Sequence, residues 1–521
     1  MPREGAWDDE FVSLAPSMLS SSAMKLFKRI LPFAIVVAAS LLILNLPDLV
    51  PERYNDLGSY FSTERHRQGL IGLTVASVKY GSPDFVGAWG ADARGIPLES
   101  FTPMAIGELS QAITGILAAR ADVDGLIDLD RPASRLIPEL GGSRTGLASV
   151  TIRQFLQQTS GASALSFDDR HSSAKSIAAA MHILAATRPL AAPGEKIMPI
   201  ETGYEAVGLA LERATKKDFA NLASRKIFAP LGMKQSEADG EAASDRLAQG
   251  ATQFFWTAFP KVEDLGPSRI PAVGVVSTAP DFARLMAALV NPGFGGVFIL
   301  GRGGDREPRP LDAKSGTYWG WHLVPGGKDD EFRIESTGMA FSAIAGLWPE
   351  RQAGIVILVP TSGLLVSKLV LPALLEGARS ILLADNAEPP PPFGRLAILF
   401  GIIAAIHVLA LAASTGSAMS WARAVKGRAE ANGSEIRLNF ARIRCLFGIF
   451  ARLLIVILMP IVTGFLLGSR VDWAWMFEWE PGLTGWLAVA TVIGLLRNIA
   501  RLSWLRGPSS QVRKMQMLLK R

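Results

Sequence analysis

Apolar residues along this 521-residue chain fall into runs of two kinds. Four are long and nearly unbroken: residues 30–46, 396–415, 446–467 and 482–496. As a helix the first would be roughly 26 Å long, just enough for the hydrocarbon core of a bilayer, whereas the fourth is short by the same measure. Between the first and second runs the apolar stretches are short and patterned. Gly354-Ile355-Val356-Ile357-Leu358-Val359 predicts a buried, β-branched strand. Val275 to Leu285 predicts an apolar helix behind a Ser-Thr-x-x-Asp cap. Lys175 to Ala186 and Asp218 to Phe228 carry apolar residues at helical spacing. Strands at both ends with helices between them predict an α+β domain.

Composition adds little beyond this division, but the placement of charge adds a topology. The hydrophobic fraction of 49% and the mean hydropathy of +0.26 are high for a soluble protein, and the four runs account for the excess. Arg423, Lys426, Arg428, Arg437, Arg442 and Arg444 crowd the segment 416–445. Residues 497–521 are equally basic, whereas Asp472, Glu478 and Glu480 lie in 468–481 beside Trp473, Trp475 and Trp479. The positive-inside rule then puts both termini and segment 416–445 in the cytoplasm. It also requires the short fourth run to span, and it leaves the large region 50–388 outside. We read residues 1–29 as a cytoplasmic tail and 30–46 as an uncleaved anchor. A removed signal peptide is the alternative, but the leading segment is long and no small-x-small cleavage site follows the apolar core. Residues 389–393, in Glu388-Pro389-Pro390-Pro391-Pro392-Phe393, form a stiff linker that holds the domain close to the bilayer. The net charge of +6 lies at membrane flanks, so lipid rather than nucleic acid is the expected partner. The single Cys445 excludes an intramolecular disulfide. His407, inside the second run, has no charged partner at its depth in the other runs and reads as a packed histidine. The chain has no Gly-rich phosphate loop, no zinc spacing and no dinucleotide fingerprint, so no cofactor and no metal are expected.

Several blocks occur in an order that resembles one family. They include Gly72-Leu73-Thr74-Val75-Ala76-Ser77-Val78-Lys79, then Phe101 through Leu117, then Thr151-Ile152-Arg153-Gln154-Phe155-Leu156-Gln157-Gln158-Thr159-Ser160-Gly161. Pro193-Gly194-Glu195, Tyr318-Trp319-Gly320-Trp321, Ser336-Thr337-Gly338 and Trp348-Pro349-Glu350 follow. Over about residues 55–385 the chain resembles the serine β-lactamase and penicillin-binding-protein-like family, closest to the class C type. The resemblance implies a β-lactamase/transpeptidase-like fold, an antiparallel sheet flanked by helices plus a helical subdomain. It further implies a bacterial source, so the outer domain would be periplasmic and the membrane the cytoplasmic one.

The resemblance also implies where the chemistry should sit, and there the chain departs from it. Where the family pattern is Gly-Ser-x-x-Lys, this sequence reads Gly107-Glu108-Leu109-Ser110-Gln111. Glu108 stands at the nucleophile and Gln111 at the base. The family's Tyr-x-Asn falls on Pro199 and Glu201, and its Lys-Thr-Gly on Ser336, Thr337 and Gly338. Each motif has lost its proton-handling member. Loss of a nucleophile–base unit costs a serine hydrolase on the order of 10⁶ in rate, about 8 kcal/mol of barrier. Ser110 sits on the same helix, roughly 200° around from position 108, with Ile113 where a base would be needed. Ser160 reads as a turn residue.

The expectation is a membrane-anchored, catalytically silent domain whose cleft, lined by Glu108, Gln111, Glu201, Ser336, Thr337 and Gly338, binds a peptidoglycan-derived or peptide ligand. A partner protein, including another membrane protein, is the other expected occupant. Two alternatives are kept. One is a divergent hydrolase or transferase that uses the paired carboxylates Glu108 and Glu201. The other is an accessory subunit of a membrane transport or assembly complex, with the three C-terminal spans as the working part.

Overall fold

The computed structural model describes residues 52–142, 146–163, 176–291, 317–324, 330–384, 386–432, 435–467 and 473–506. The first apolar run and its preceding tail, His171, Arg470, Asp472 and residues 507–521 lie outside them.

Helix α1 (Leu57–Arg67) starts at Asp56, whose carboxylate accepts the Ser59 N–H at 2.8 Å. Strands β1 (Gly72–Lys79) and β2 (Ser82–Gly90) follow, then the two-residue β3 (Met104–Ala105) and helix α2 (Ser110–Val123). Helices α3 (Ile177–Ala186) and α4 (Glu201–Thr215) belong to the helical part of the domain. A hairpin of β4 (Ala251–Phe254) and β5 (Thr257–Pro260) leads to β6 (Val276–Ser277) and α5 (Ala279–Val290). The chain closes the domain with β7 (Thr317–Tyr318), β8 (Trp321–Val324), β9 (Glu331–Thr337), β10 (Ser342–Trp348), β11 (Ala353–Val359) and α6 (Leu371–Ala384). Seven strands form one antiparallel sheet in the order β2-β1-β11-β10-β9-β8-β7, so the first strands pair with the last.

Period-two alternation divides the buried residues between two cores. On β11, Ile355, Ile357 and Val359 join α1 and α6 on one face, while Val356 and Leu358 join the large core built on α2, α4 and α5. Both faces are covered, which is why this strand reads as an unbroken apolar run. The capped helix expected after Val275 is α5: the Thr278 hydroxyl accepts the Asp281 N–H at 3.3 Å. Helix α2 is buried along almost its whole length. At Gly115 the Trp319 backbone comes so close that an added Cβ would lie 2.6 Å from its carbonyl carbon. Backbone cannot give way as a side chain does. Gly115→Ala should therefore destabilise the domain by about 1–3 kcal/mol, seen as a lower thermal midpoint of the detergent-solubilised chain.

Helices α7 (Phe393–Gly416), α8 (Ala418–Ala431), α9 (Glu435–Leu467), α10 (Trp473–Trp479) and α11 (Pro481–Arg506) make the C-terminal bundle. Three of them, α7, α9 and α11, are long and apolar enough to cross a membrane. Several expected boundaries are corrected. The fourth run was expected over 482–496, but its helix continues to Arg506, because Arg497, Asn498 and Arg501 end the apolar stretch without ending the helix. Likewise α9 begins well before 446, and most of 416–445 is helical rather than loop. At this basic end, Arg442 Nη2 donates to Leu505 O at 3.2 Å, Arg501 Nη2 donates to Ser414 O at 3.4 Å, and the Arg501 guanidinium stacks 4.7 Å from the Trp421 ring. His407 packs edge-on against Trp486, with ring centroids 5.6 Å apart. Cys445 is buried among Ala422, Leu502 and Leu505. The proline segment is strapped to the domain: Gln68 Nε2 donates to Pro391 O at 3.0 Å, and Phe393 N donates to Gln68 Oε1 at 3.0 Å.

A candidate active site filled by its own carboxylates

Glu108 lies in a single tight turn, Gly107–Leu109, that delivers the chain from β3 into α2. Gly107 adopts φ +52°, and an added Cβ there would lie 1.8 Å from Ser336 Oγ, so only glycine lets the turn press against β9. The Ser336 hydroxyl accepts the Glu108 N–H at 3.0 Å and donates to Glu108 Oε2 at 2.5 Å. Helix turn and strand are thus joined by one residue pair 228 positions apart in sequence. Burial, and then the charge of Glu201, push the Glu108 carboxyl up to about 7, against the opposing bond from Ser336.

Glu201 occupies the first turn of α4, where the helix N-terminus favours an acid. Its Oε2 accepts from Arg269 Nη2 at 3.1 Å, and both side chains are largely buried, 16% and 11% exposed. Arg269 also reaches Asp264 at 3.4 Å. Burial opposes the guanidinium charge, but Glu201, Glu263, Asp264 and Glu205 together hold it above its ordinary range.

Glu263 closes the site from the other side. Its Oε1 accepts the Met339 N–H at 3.1 Å and its Oε2 accepts the Ala340 N–H at 2.8 Å. Burial raises its carboxyl above the usual range, while these amides and Arg269 pull the other way. Gly338 faces this carboxylate: an added Cβ would lie 2.6 Å from Glu263 Oε2. Gly338 N donates to Phe341 O at 2.9 Å and Gly338 O accepts from the Ser362 hydroxyl, so every backbone group from Gly338 N to the Ala340 N–H that could face a ligand has a partner, Met339 O aside.

Gln111 is fixed by a relay. Gln158 Nε2 donates to Gln111 Oε1 at 3.4 Å, and Gln158 Oε1 accepts the Ile200 N–H at 3.0 Å. Pro199, just before, is exposed and has no N–H to offer. Ser110 is fully buried, its hydroxyl accepting the Val275 N–H at 3.1 Å, and Ser160 Oγ accepts the Ala162 N–H within its own turn. Sequence reasoning thus named Glu108, Gln111, Glu201 and Ser336, which the fold brings to one cleft. It missed Arg269, Glu263 and Gln158. The signal for Gln158 was inside a block already singled out, whereas Glu263 and Arg269 lie in an aperiodic segment. Among the described residues no group of His, Cys, Asp and Glu is placed to hold a metal ion. An open groove of about 910 Å³ is lined by Glu263 together with, among others, Arg94, Asp218, Lys261 and Phe341. Glu108, Gln111, Glu201 and Ser336 do not line it.

A family model described as Beta-lactamase matches residues 57–375, more than half of the chain. The chain belongs to the β-lactamase family. It is 26% identical over 228 residues to a β-lactamase of Yersinia enterocolitica, covering 43% of this chain and 56% of that protein. It is 28% identical over 180 residues to monacolin J acid methylbutanoyltransferase of Aspergillus terreus, covering 30% and 43%. The chain thus spans about half the length of these relatives. Among solved structures, the octameric penicillin-binding protein homologue of Pyrococcus abyssi is similar with a TM-score of 0.54 at 17% identity, covering 64% of this chain and 77% of that one. The β-lactamase of Sulfitobacter sp. EE-36 is similar with a TM-score of 0.51 at 20% identity, covering 63% and 95%. These structural likenesses carry the fold, which is that of β-lactamases and their penicillin-binding relatives.

Proposed function

We propose that this protein is a catalytically silent β-lactamase-family member held in a bacterial cytoplasmic membrane. Its family domain stands in the periplasm and binds a cell-envelope ligand, a peptidoglycan fragment or peptide, or a partner protein. One observation carries the reading. The positions that the family resemblance gives to nucleophile, base and binding strand are engaged within the protein: Glu108 with Ser336, Gln111 with Gln158, Glu201 with Arg269, and the strand end at Met339 and Ala340 with Glu263. A substrate entering here would have to break a buried ion pair and displace a carboxylate from two backbone amides, and would meet no nucleophile–base pair of the family kind. The basic inner end of the bundle supports the periplasmic side for the domain. The groove that Glu263 lines offers a surface for a ligand or partner. The test is to treat the full-length protein in detergent with a fluorescent penicillin and a fluorophosphonate and to search for adducts by mass spectrometry. No adduct on the folded protein is expected; a stoichiometric adduct on any serine would return it to the working hydrolases.

A divergent enzyme is the second reading, favoured by the Glu108 carboxyl near 7 and its 2.5 Å bond from the Ser336 hydroxyl, and the transferase relative shows that the family's chemistry extends beyond lactams. Its other expected acid, Glu201, is engaged by Arg269, which weakens it. Under this reading Glu108→Gln abolishes function in cells; under the silent reading it leaves function nearly unchanged.

A further inference from the structure

The β4–β5 hairpin ends in a two-residue turn, Phe255-Trp256, between the pair Phe254 and Thr257. Around it the sequence supplies Phe254, Phe255, Trp256 and Phe259, an aromatic tip. The tip lies on the bundle. Trp256 and Phe255 press on Gly401 of α7, where an added Cβ would lie 1.9 Å from the indole. Phe254 and the Phe255 N–H border Gly482 and Gly485 of α11. Glycines at all three contacts let the hairpin approach the helices closely. Nearby, Glu480, immediately before α11, accepts the Leu364 N–H, pinning the loop whose Ser362 pairs with β4.

The bundle leaves much of this tip uncovered. Trp256 is 56% exposed, Phe259 51% and Phe254 38%. The exposed face continues into the apolar surface of α7, where Phe400 is also exposed. Gly482 and Gly485 lie at the start of α11, whose apolar run begins at residue 482, so the tip meets this span at its outer end. That level is the boundary of headgroups and acyl chains.

We infer that the β4–β5 hairpin is a membrane-interface anchor, its aromatic tip immersed in the outer leaflet beside α7 and α11. The inference rests on α7, α9 and α11 spanning a bilayer. Trp and Phe are suited to this depth because it accepts apolar rings while still hydrating the turn's backbone. Lipid is favoured over a protein occupant because the exposed rings sit against Gly401, Gly482 and Gly485 of helices that themselves expose apolar residues, Phe400 and Leu483 among them. The same hairpin ends three residues before Glu263. Seating it in lipid therefore fixes the segment that carries this carboxylate into the cleft.

The test uses the full chain in lipid nanodiscs with Cys445→Ser as background. Single cysteines Trp256→Cys and Phe259→Cys are labelled with an environment-sensitive fluorophore. Ile457→Cys on α9 serves as the lipid reference and Asp84→Cys on β2 as the water reference; both positions are exposed. The expected result is blue-shifted emission from the hairpin labels, lost on adding nitroxide-bearing lipids and insensitive to aqueous iodide. Hairpin labels that behave like Asp84→Cys would overturn the inference. So would labels quenched by neither agent, which would mean a second copy or another protein covers the tip. Phe259→Cys, on β5 and 51% exposed, gives a reading if replacing Trp256 loosens the hairpin. If Ile457→Cys also escapes the nitroxide lipid, the spanning reading itself has failed, a separate outcome.

Discussion

Replacing Arg269 by Met should lower the stability of the outer domain by about 3–5 kcal/mol, a larger loss than most surface substitutions produce. The guanidinium is only 11% exposed and is the cation within reach of Glu201 and Asp264, with Glu263 and Glu205 close enough to raise its pKa. Removing it leaves those acids facing one another in a site with little water. The loss follows from uncompensated charge rather than from lost packing, because Met keeps most of the apolar stem. Adding Glu201→Gln and Glu263→Gln to Arg269→Met should therefore recover much of the loss, a strong non-additivity that simple cavity formation would not give. Thermal unfolding of the parent, Arg269→Met, the Glu201→Gln and Glu263→Gln pair, and the triple variant in one detergent decides it. Equal midpoints for Arg269→Met and the parent would show that the network carries no stability.

Glu108 should make the protein less stable as pH rises through neutrality. Its carboxyl titrates near 7 in the folded chain against 4.5 as its ordinary value. Between these values the folded state holds a proton that the unfolded chain has released, so stability falls as pH rises across the window and levels off above about 7. The penalty at pH 8 is about 3 kcal/mol, which Glu108→Gln should remove while keeping an acceptor for the Ser336 hydroxyl. The variant should unfold at a higher temperature than the parent at pH 8 and at nearly the same temperature at pH 5. A parent whose midpoint rises from pH 5 to pH 8 by the same amount as the variant's would show that Glu108 is ionised throughout.

Much of the framework was legible because it is written in local periodicity. The alternation on β11, the Thr278 cap on α5 and the long apolar helices α7 and α9 follow from neighbours a few residues apart. The helix of the fourth run extends past its apolar stretch for the complementary reason. A scan for apolar runs stops at Arg497, but a helix with its arginines near neighbouring helix ends does not. At the site, ordered blocks located Glu108, Gln111, Glu201 and Ser336. They did not indicate that Glu108 and Ser336 would bond to each other, or that Gln158 would link Gln111 to Ile200.

The sequence by itself determined the α+β domain, its family and the apolar bundle. All of these depend on residue identity at fixed local spacing. Only the tertiary structure decided that the cleft is filled rather than empty. Whether Glu263 and Arg269 meet the strand end at Gly338 and the acid at Glu201 depends on folding that joins segments 60 to 80 residues apart, such as Glu201 and Arg269 at a separation of 68. Charge compensation is a matter of distance and burial, and neither is encoded in the order of the chain.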